Sequence, residues 1–473
     1  MVTIPKTEEF ERVTGFDYIK NLIDPKTPFG QKFFKHLKPL SYEHISQHLS
    51  DTELIIKLIR SSVINEDTLH DLECVIDISN SVERLKIHQI LDEIELFEIK
   101  NYALVIEKIR ESLKGKLPNN LLPPSLENVV FILDPEGLKL PTFYIYDAYS
   151  EELKTLRKKK RELQKQESTD ETALIEITQR ELELERQILQ EISEKLSNEV
   201  FHLSESIEKI KYLDVIIAKA RLALELGLTK PTILHIPENE EDYSIVIEGM
   251  FNPKLKAELE KKSKNYQPVD IRIDQGVTVI VGANMSGKSV VLRTIALIQY
   301  MAQLGFFVPA LKCRTVYLKN ICIVAEDYQR PLSGLSSFGS EMLMINETFR
   351  KAKEGYSLVL IDEPARTTNP YEGSVIVNTL VREFGKLNVY TLIVTHFDDI
   401  IAPRRLRVKG LKEENLKQLQ NYKPEELINH IQDYIDYSLI ETTESSVPKE
   451  ATKIMEILGI DRNLIPETGT ENL

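Results

Sequence analysis

Through residues 29–122 apolar positions recur at intervals of three and four, as in Leu54, Ile55, Leu58 and Ile59 and again in Ile90, Leu91, Ile94 and Phe97. Little of the alternation that marks strands is present, so the pattern predicts a helical core domain over residues 26–146, behind an N-terminal extension of residues 1–25. Turn signals at Pro123-Pro124 and at Asp134-Pro135-Glu136-Gly137 mark a break near residue 120, because proline disfavours helix in the residue before it and glycine tolerates positive φ. Residues 147–230 carry Leu182, Leu189, Leu196, Leu203, Ile210 and Ile217 at strict seven-residue spacing, the seam of a long packed helix. A polar break at Glu167-Ser168-Thr169-Asp170 divides this region. The expectation is an antiparallel hairpin: roughly twenty residues out, a tight turn, and a return helix of about fifty residues spanning ~75 Å if unbroken. Heptads report packing, so an arm that transmits motion and an inert spacer stand as equal readings.

After Lys230-Pro231 the pattern changes to short apolar runs, at 244–247, 277–281, 321–325, 358–361 and 390–394, separated by helical stretches. That alternation predicts an α/β domain over residues 231–405 with a largely parallel sheet. Residues 406–473 read as helical again, ending in the run 451–458 and a polar tail. The fold class is therefore multidomain: a helical core and hairpin, then an α/β domain with a helical C-terminus.

Sixty Lys and Arg against seventy-four Asp and Glu leave a net charge of −14. Such a chain repels a phosphate backbone unless its basic residues gather on one face. Lys158-Lys159-Lys160-Arg161 is one such cluster, open to two readings: a phosphate patch, or a solvated helix face beside Glu151, Glu152 and Glu162. Cys74, Cys313 and Cys322 form no Cys-x-x-Cys and fit neither a zinc site nor a disulfide framework, which points to a reducing cytoplasm. Residues 1–20 hold Glu8, Glu9, Glu11 and Asp17 in place of an apolar run, and no stretch approaches the about eighteen apolar residues of a membrane span. The expectation is a soluble protein without a membrane partner.

The chemistry is concentrated in the α/β region. The β-branched run Val277-Thr278-Val279-Ile280-Val281 leads into Gly282-Ala283-Asn284-Met285-Ser286-Gly287-Lys288-Ser289 and then a helical stretch beginning at Val290. Strand, glycine loop and helix in that order form a P-loop: backbone N–H groups and the helix N-terminus surround anionic oxygens, Lys288 reaches the β and γ phosphates, and the Ser289 hydroxyl ligates magnesium. Downstream, Leu358-Val359-Leu360-Ile361 ends in Asp362-Glu363, which reads as a Walker B strand. Asp362 is then the second magnesium ligand and Glu363 the general base for the attacking water. A further apolar run ends in Thr395-His396, where an imidazole can sense the γ phosphate. Ser336-Ser337-Phe338-Gly339-Ser340-Glu341-Met342 opens a helix with Ser340 or a neighbouring serine as its N-cap.

Taken together, these segments, with Gly305-Phe306-Phe307-Val308-Pro309-Ala310, Asp362-Glu363-Pro364-Ala365-Arg366-Thr367-Thr368 and Tyr371-Glu372-Gly373, resemble the MutS family of ABC-type ATPases. The likeness extends back to Leu213-Asp214-Val215, which resembles that family's returning lever helix. The resemblance implies an ATPase that uses ATP and Mg2+ in a dimer, with itself or with a related subunit, whose two sites are composite. In such a dimer Ser336 faces the γ phosphate bound by the other subunit. It also implies that Asn284 orients phosphates or water, that residues 282–290 including Val290 hold the nucleotide, that Tyr266 stacks on adenine, and that Arg366 lies at the subunit junction.

The chain departs from the family pattern in three places. About twenty-five residues precede the helical region, too few for a mismatch-reading domain; the turn at residues 167–170 is too short for a DNA clamp; and Pro364-Ala365-Arg366-Thr367-Thr368-Asn369-Pro370 stands where repair proteins have a glycine-rich run. Loss of those glycines is expected to stiffen the loop. These departures resemble a divergent branch, the ATPase of the factor that reactivates cobalamin-dependent lysine 5,6-aminomutase. The leading expectation is thus ATP-driven remodelling of such an aminomutase. The alternatives are a mismatch-repair or branched-DNA ATPase and a nucleotide-gated scaffold with little turnover.

Overall fold

The structure is a computed structural model that describes residues 7–140, 142–165, 171–236, 242–282, 286–325, 337–411, 434–443, 455 and 460–464. It divides into two compact units, one of Asp24–Leu37 with Thr52–Ala220 and one of Met1–Ile23, Lys38–Asp51 and Arg221–Leu473. In chain order the first helices are α1 (Thr7–Thr14), α2 (Phe16–Leu22), α3 (Pro28–Lys35), α4 (Tyr42–Arg60), α5 (Glu66–Glu73), α6 (Ser79–Lys86), α7 (Glu93–Leu113), α8 (Glu127–Leu133), α9 (Glu151–Gln164), α10 (Glu171–Ser197) and α11 (Val200–Leu226).

In the helical unit α7 is the central element. It starts at a capping box, where Asp92 accepts from the Glu95 N–H at 2.9 Å and Glu95 accepts from the Asp92 N–H at 3.0 Å. Its buried stripe is Leu96, Ile99, Tyr102, Ala103, Ile106 and Ile109, whereas Ile90 and Ile94 of the expected stripe are exposed. Lys100 lies on the same buried face, donating to Asp134 at 3.0 Å, to the Tyr146 hydroxyl at 2.8 Å and to the Thr142 carbonyl at 3.0 Å, so the charge is fully paired. On α11, buried Asp214 accepts from the Lys26 and Thr27 N–H groups at 2.9 and 2.8 Å and from the Thr27 hydroxyl at 2.7 Å. It thereby holds the start of α3.

The hairpin differs from its expected form. α9 and α10 run antiparallel, tied by Arg157 to Glu181 and Glu185 and by Arg180 to Glu152. The turn at residues 167–170 lies outside the described residues. The return limb is two helices of 27 residues each, about 40 Å apiece, interrupted at Asn198-Glu199. Local side chains compete for the helix carbonyls at that break: Ser197 donates to the Ser193 carbonyl at 2.9 Å and Asn198 to that of Glu194 at 3.3 Å. The heptad seam holds through Leu196, Leu203, Ile210 and Ile217, which are buried; earlier in α10 the buried row is instead Leu184, Ile188 and Ile192, and Leu182 is exposed.

The α/β unit contains β1 (Thr232–Leu234), β2 (Ile245–Met250), α12 (Pro253–Lys261), β3 (Val269–Ile273), β4 (Gly276–Val281), α13 (Lys288–Gln303), β5 (Lys312–Val316), β6 (Asn320–Val324), α14 (Ser337–Ala352), β7 (Ser357–Asp362), α15 (Pro370–Phe384), β8 (Val389–Thr395), β9 (Arg404–Leu411) and β10 (Ile435–Glu441). A six-stranded sheet has the order β10-β9-β4-β8-β7-β6, parallel except for the β9–β10 edge pair. Its central strands β4, β7 and β8 are rich in Val, Ile and Leu and buried on both faces, as a covered parallel sheet requires. A second sheet, β1-β5-β2-β3, is mostly antiparallel.

Two features run against the sequence expectation. Helix was expected over residues 406–473, yet β9 runs on to Leu411 and residues 435–441 are a strand: Ile435, Tyr437 and Leu439 alternate with Asp436 and Ser438, and β9 offers an edge to pair. The segment expected as an N-terminal extension folds as α1 and α2, burying Phe10, Phe16 and Ile19. The Phe10 and Phe16 rings meet Tyr300 of α13 edge-on at 5.2 and 4.8 Å, so these helices buttress the helix that follows the glycine loop.

Candidate active site

The parallel order of β4, β8 and β7 brings their carboxyl ends into one row, with Val281 beside Thr395 and Asp362 beside Val394. The row places the end of β4 next to the two carboxylates and the histidine. Gly287, at φ 79°, turns the chain into α13, and Lys288 and Ser289 are that helix's first two residues. Lys288, almost wholly buried, folds back so that its Nζ donates to the Gly282 carbonyl at 2.9 Å and lies 3.4 Å from the Ser286 hydroxyl. Ser289 donates to Asp362 Oδ1 at 3.0 Å. Burial pushes the Asp362 carboxyl above the usual carboxylate range, against the Ser289 bond, which lowers it.

Glu363 sits at φ 46° with its N–H on the Val394 carbonyl at 3.0 Å. Three cationic or potentially cationic groups surround its carboxylate: Lys288 Nζ at 3.8 Å, Arg366 Nη1 at 3.5 Å and His396 Nδ1 at 3.9 Å. That His396 nitrogen is buried and has no hydrogen-bond partner among the described residues. Ala283, Asn284, Met285 and Ser336 lie outside the described residues. Ser340 is the fourth residue of α14, so it is not the N-cap, and its buried hydroxyl has no partner among the described residues; the neighbouring Ser336, the alternative cap, lies outside them.

A cavity of about 450 Å³ opens beside α13. Ser286, Lys288, Ser289 and Glu363 line one part of its wall, and Met250, Leu255, Leu259 and Val269 contribute an apolar lining. Val290 and Tyr266 line it too. The Tyr266 hydroxyl accepts from the Asn252 N–H at 3.1 Å, which fixes the ring in place. A second aromatic wall is Tyr437 on β10, a residue that the expectation of a C-terminal helix concealed although its period of two was present in the sequence. A Cβ built on Gly287 would come within 2.9 Å of the Tyr437 ring, so the ring lies directly on the glycine. Gln267 holds this strand, accepting from the Tyr437 N–H at 3.2 Å and donating to Asp436 at 2.9 Å and Ser438 at 3.2 Å.

Magnesium takes one or two protein oxygens and keeps waters or phosphate oxygens in its other positions. The paired Ser289 and Asp362 oxygens suit that need, and no larger group of His, Cys, Asp or Glu able to hold a metal occurs among the described residues.

Residues 278–436 match the sequence model of MutS domain V. Over these residues the chain is similar to MutS domain V. It is 31% identical over 234 residues to the DNA mismatch repair protein MutS of Brevibacillus brevis, covering 49% of this chain and 26% of that relative. It is 31% identical over 238 residues to an Endonuclease MutS2 of Clostridium botulinum, covering 50% and 28%, and 29% identical over 238 residues to the MutS of Aquifex pyrophilus, covering 50% and 26%. These matches support membership of the MutS family, although the aligned part spans little more than a quarter of the relatives' length. Among the described residues no helix is long and apolar enough to cross a membrane.

Proposed function

We propose that this MutS-type chain binds ATP with Mg2+ in the cavity beside α13, hydrolyses it, and couples that cycle to DNA. The observation that carries the reading is the convergence of Lys288, Ser289 and Glu363 on one cavity, with Asp362 bonded to Ser289 at its edge and with Tyr266, Tyr437 and apolar side chains, beside polar Asn265 and Gln267, on the rest of the wall. The base of a nucleotide is assigned to the wall of Tyr266 and Tyr437 and its phosphates to the start of α13, where the helix dipole and the first-turn N–H groups favour anions. Lys288 exchanges the Gly282 carbonyl for phosphate oxygens. Ser289 and Asp362 hold the magnesium ion, which when bound neutralises phosphate charge. Glu363 accepts a proton from the attacking water, with Arg366 and Lys288 pairing with its carboxylate by charge and His396 flanking it. The same reading includes a dimer whose second subunit completes the site; residues 283–285 and Ser336, assigned to the nucleotide from the sequence, lie outside the described residues.

For the load on this cycle, the relatives' names, mismatch repair protein and endonuclease, favour nucleic acid over the aminomutase expected from the sequence. The net charge of −14 is what remains on the side of a protein target. ATP hydrolysis measured with the full chain, alone and with duplex or branched DNA across a salt series, separates the two. Stimulation by DNA that falls steeply between about 50 and 200 mM salt is the expected result. Stimulation by a cobalamin-dependent aminomutase and none by DNA would restore the remodelling reading. Glu363→Gln is expected to lower turnover about 10²- to 10⁴-fold; hydrolysis at the unmodified rate would remove Glu363 from the role of base.

A further inference from the structure

We propose that Glu341 is the positioning residue for Glu363, holding the loop that carries the general base in its productive shape; this rests on the hydrolysis assigned above. The loop Glu363-Pro364-Ala365 contains two non-glycine residues in the left-handed region, Glu363 at φ 46° and Ala365 at φ 61°. A residue with a Cβ resists that conformation, so something outside the loop must hold it there. Two bonds do so. The Glu363 N–H donates to Val394 on β8 at 3.0 Å, and the Ala365 N–H donates to both carboxylate oxygens of Glu341 on α14, at 3.2 and 3.3 Å.

The second bond is the unusual one. Glu341 is 6% exposed and Ala365 is fully buried, so a carboxylate has been taken from water and aimed at a backbone N–H. Charge-assisted bonds of this kind are about twice as strong as neutral ones, and here the bond pins the residue two places beyond the base. The Glu363 carboxylate sits between Lys288, Arg366 and His396 at 3.5 to 3.9 Å, where a small rotation of the loop changes all three distances. Glu341 lies outside the cavity lining, so it acts through Glu363 rather than on the substrate.

The test compares Glu341→Ala, Glu341→Gln, Glu363→Gln and the Glu341→Ala/Glu363→Gln double variant by single-turnover hydrolysis and ATP titration. Glu341→Ala should lower the rate about 10- to 100-fold, the loss expected of a misplaced base, with ATP affinity within about twofold of the unmodified chain. Glu341→Gln, which keeps one carbonyl acceptor, should fall between. The double variant should be no slower than Glu363→Gln alone, because both changes act on one group. A Glu341→Ala rate within about twofold of the unmodified chain, or losses that multiply in the double variant, would overturn the proposal. If Glu341→Ala does not fold, Glu341→Gln decides: reduced rate at unchanged affinity and no further loss with Glu363→Gln supports the assignment, and full rate ends it. Full hydrolysis by Glu363→Gln would instead remove the functional reading on which it rests.

Discussion

Replacing Tyr437 by alanine isolates the wall of the cavity that the C-terminal strand supplies. The ring packs on Gly287, and Gln267 holds its backbone independently of the side chain, so truncation leaves β10 paired to β9. What is lost is one aromatic face for a base, worth about 1–3 kcal/mol when removed by alanine substitution in base-stacking sites. At 1.4 kcal/mol per factor of ten, that is roughly 5- to 150-fold weaker ATP binding. Tyr437→Phe keeps the face and should bind within about twofold. Calorimetric titration with Mg2+ and ATP measures the change, and tripolyphosphate, which has no base, provides the contrast: its affinity should not move. If Tyr437→Ala binds ATP as well as the unmodified chain, or loses tripolyphosphate to the same degree, the base does not lie on this ring.

Asp214→Ala leaves three donors at the start of α3 without their buried acceptor and should cost about 3 kcal/mol or more in denaturant unfolding; a loss below about 1 kcal/mol would mean water replaces the carboxylate. Asp362 carries a raised pKa through burial, so the folded state binds the proton more tightly than the unfolded chain does. Its contribution to stability therefore falls as pH rises from the ordinary carboxylate range through the raised value. Asp362→Asn should accordingly melt higher than the unmodified chain at neutral pH without nucleotide, with the difference closing below the ordinary carboxylate range. The same variant should lose stabilisation by Mg2+ and ATP, and binding of Mg2+ to the unmodified chain should weaken as the pH is lowered into the Asp362 titration. Gly373→Ala places a Cβ about 2.3 Å from the Phe397 ring, and the displacement of α15 should cost about 1–3 kcal/mol in thermal unfolding.

Legibility in the sequence followed the range of the interactions. β4, its glycine loop and α13 were readable because a β-branched run, a phosphate-loop pattern and a helix occur in unbroken order, and the strands that end in Asp362 and Thr395 are mostly apolar. β10 was hidden because its strand character rests on pairing with β9 more than on its own seven residues, which are only half-buried and include Asp436 and Glu441. The break at Asn198-Glu199 was hidden for the opposite reason: it arises from very local competition by Ser197 and Asn198 for helix carbonyls, which the heptad pattern running across it does not register.

The loop after Glu363 shows how a sequence argument can be sound and incomplete. Glycine loss there does predict a stiffer chain, since Pro364 fixes its own φ and Ala365 has fewer conformations to choose from. It would also predict that the loop abandons positive φ, yet Ala365 remains at φ 61° with its methyl group in the core beneath the sheet. Left-handed alanine costs about 1–2 kcal/mol, and burial of one methyl group returns about 0.8 kcal/mol, so packing alone does not hold the conformation. The balance is supplied by the carboxylate of Glu341, twenty-four residues earlier in the chain, and that dependence is invisible until α14 is folded against the end of β7.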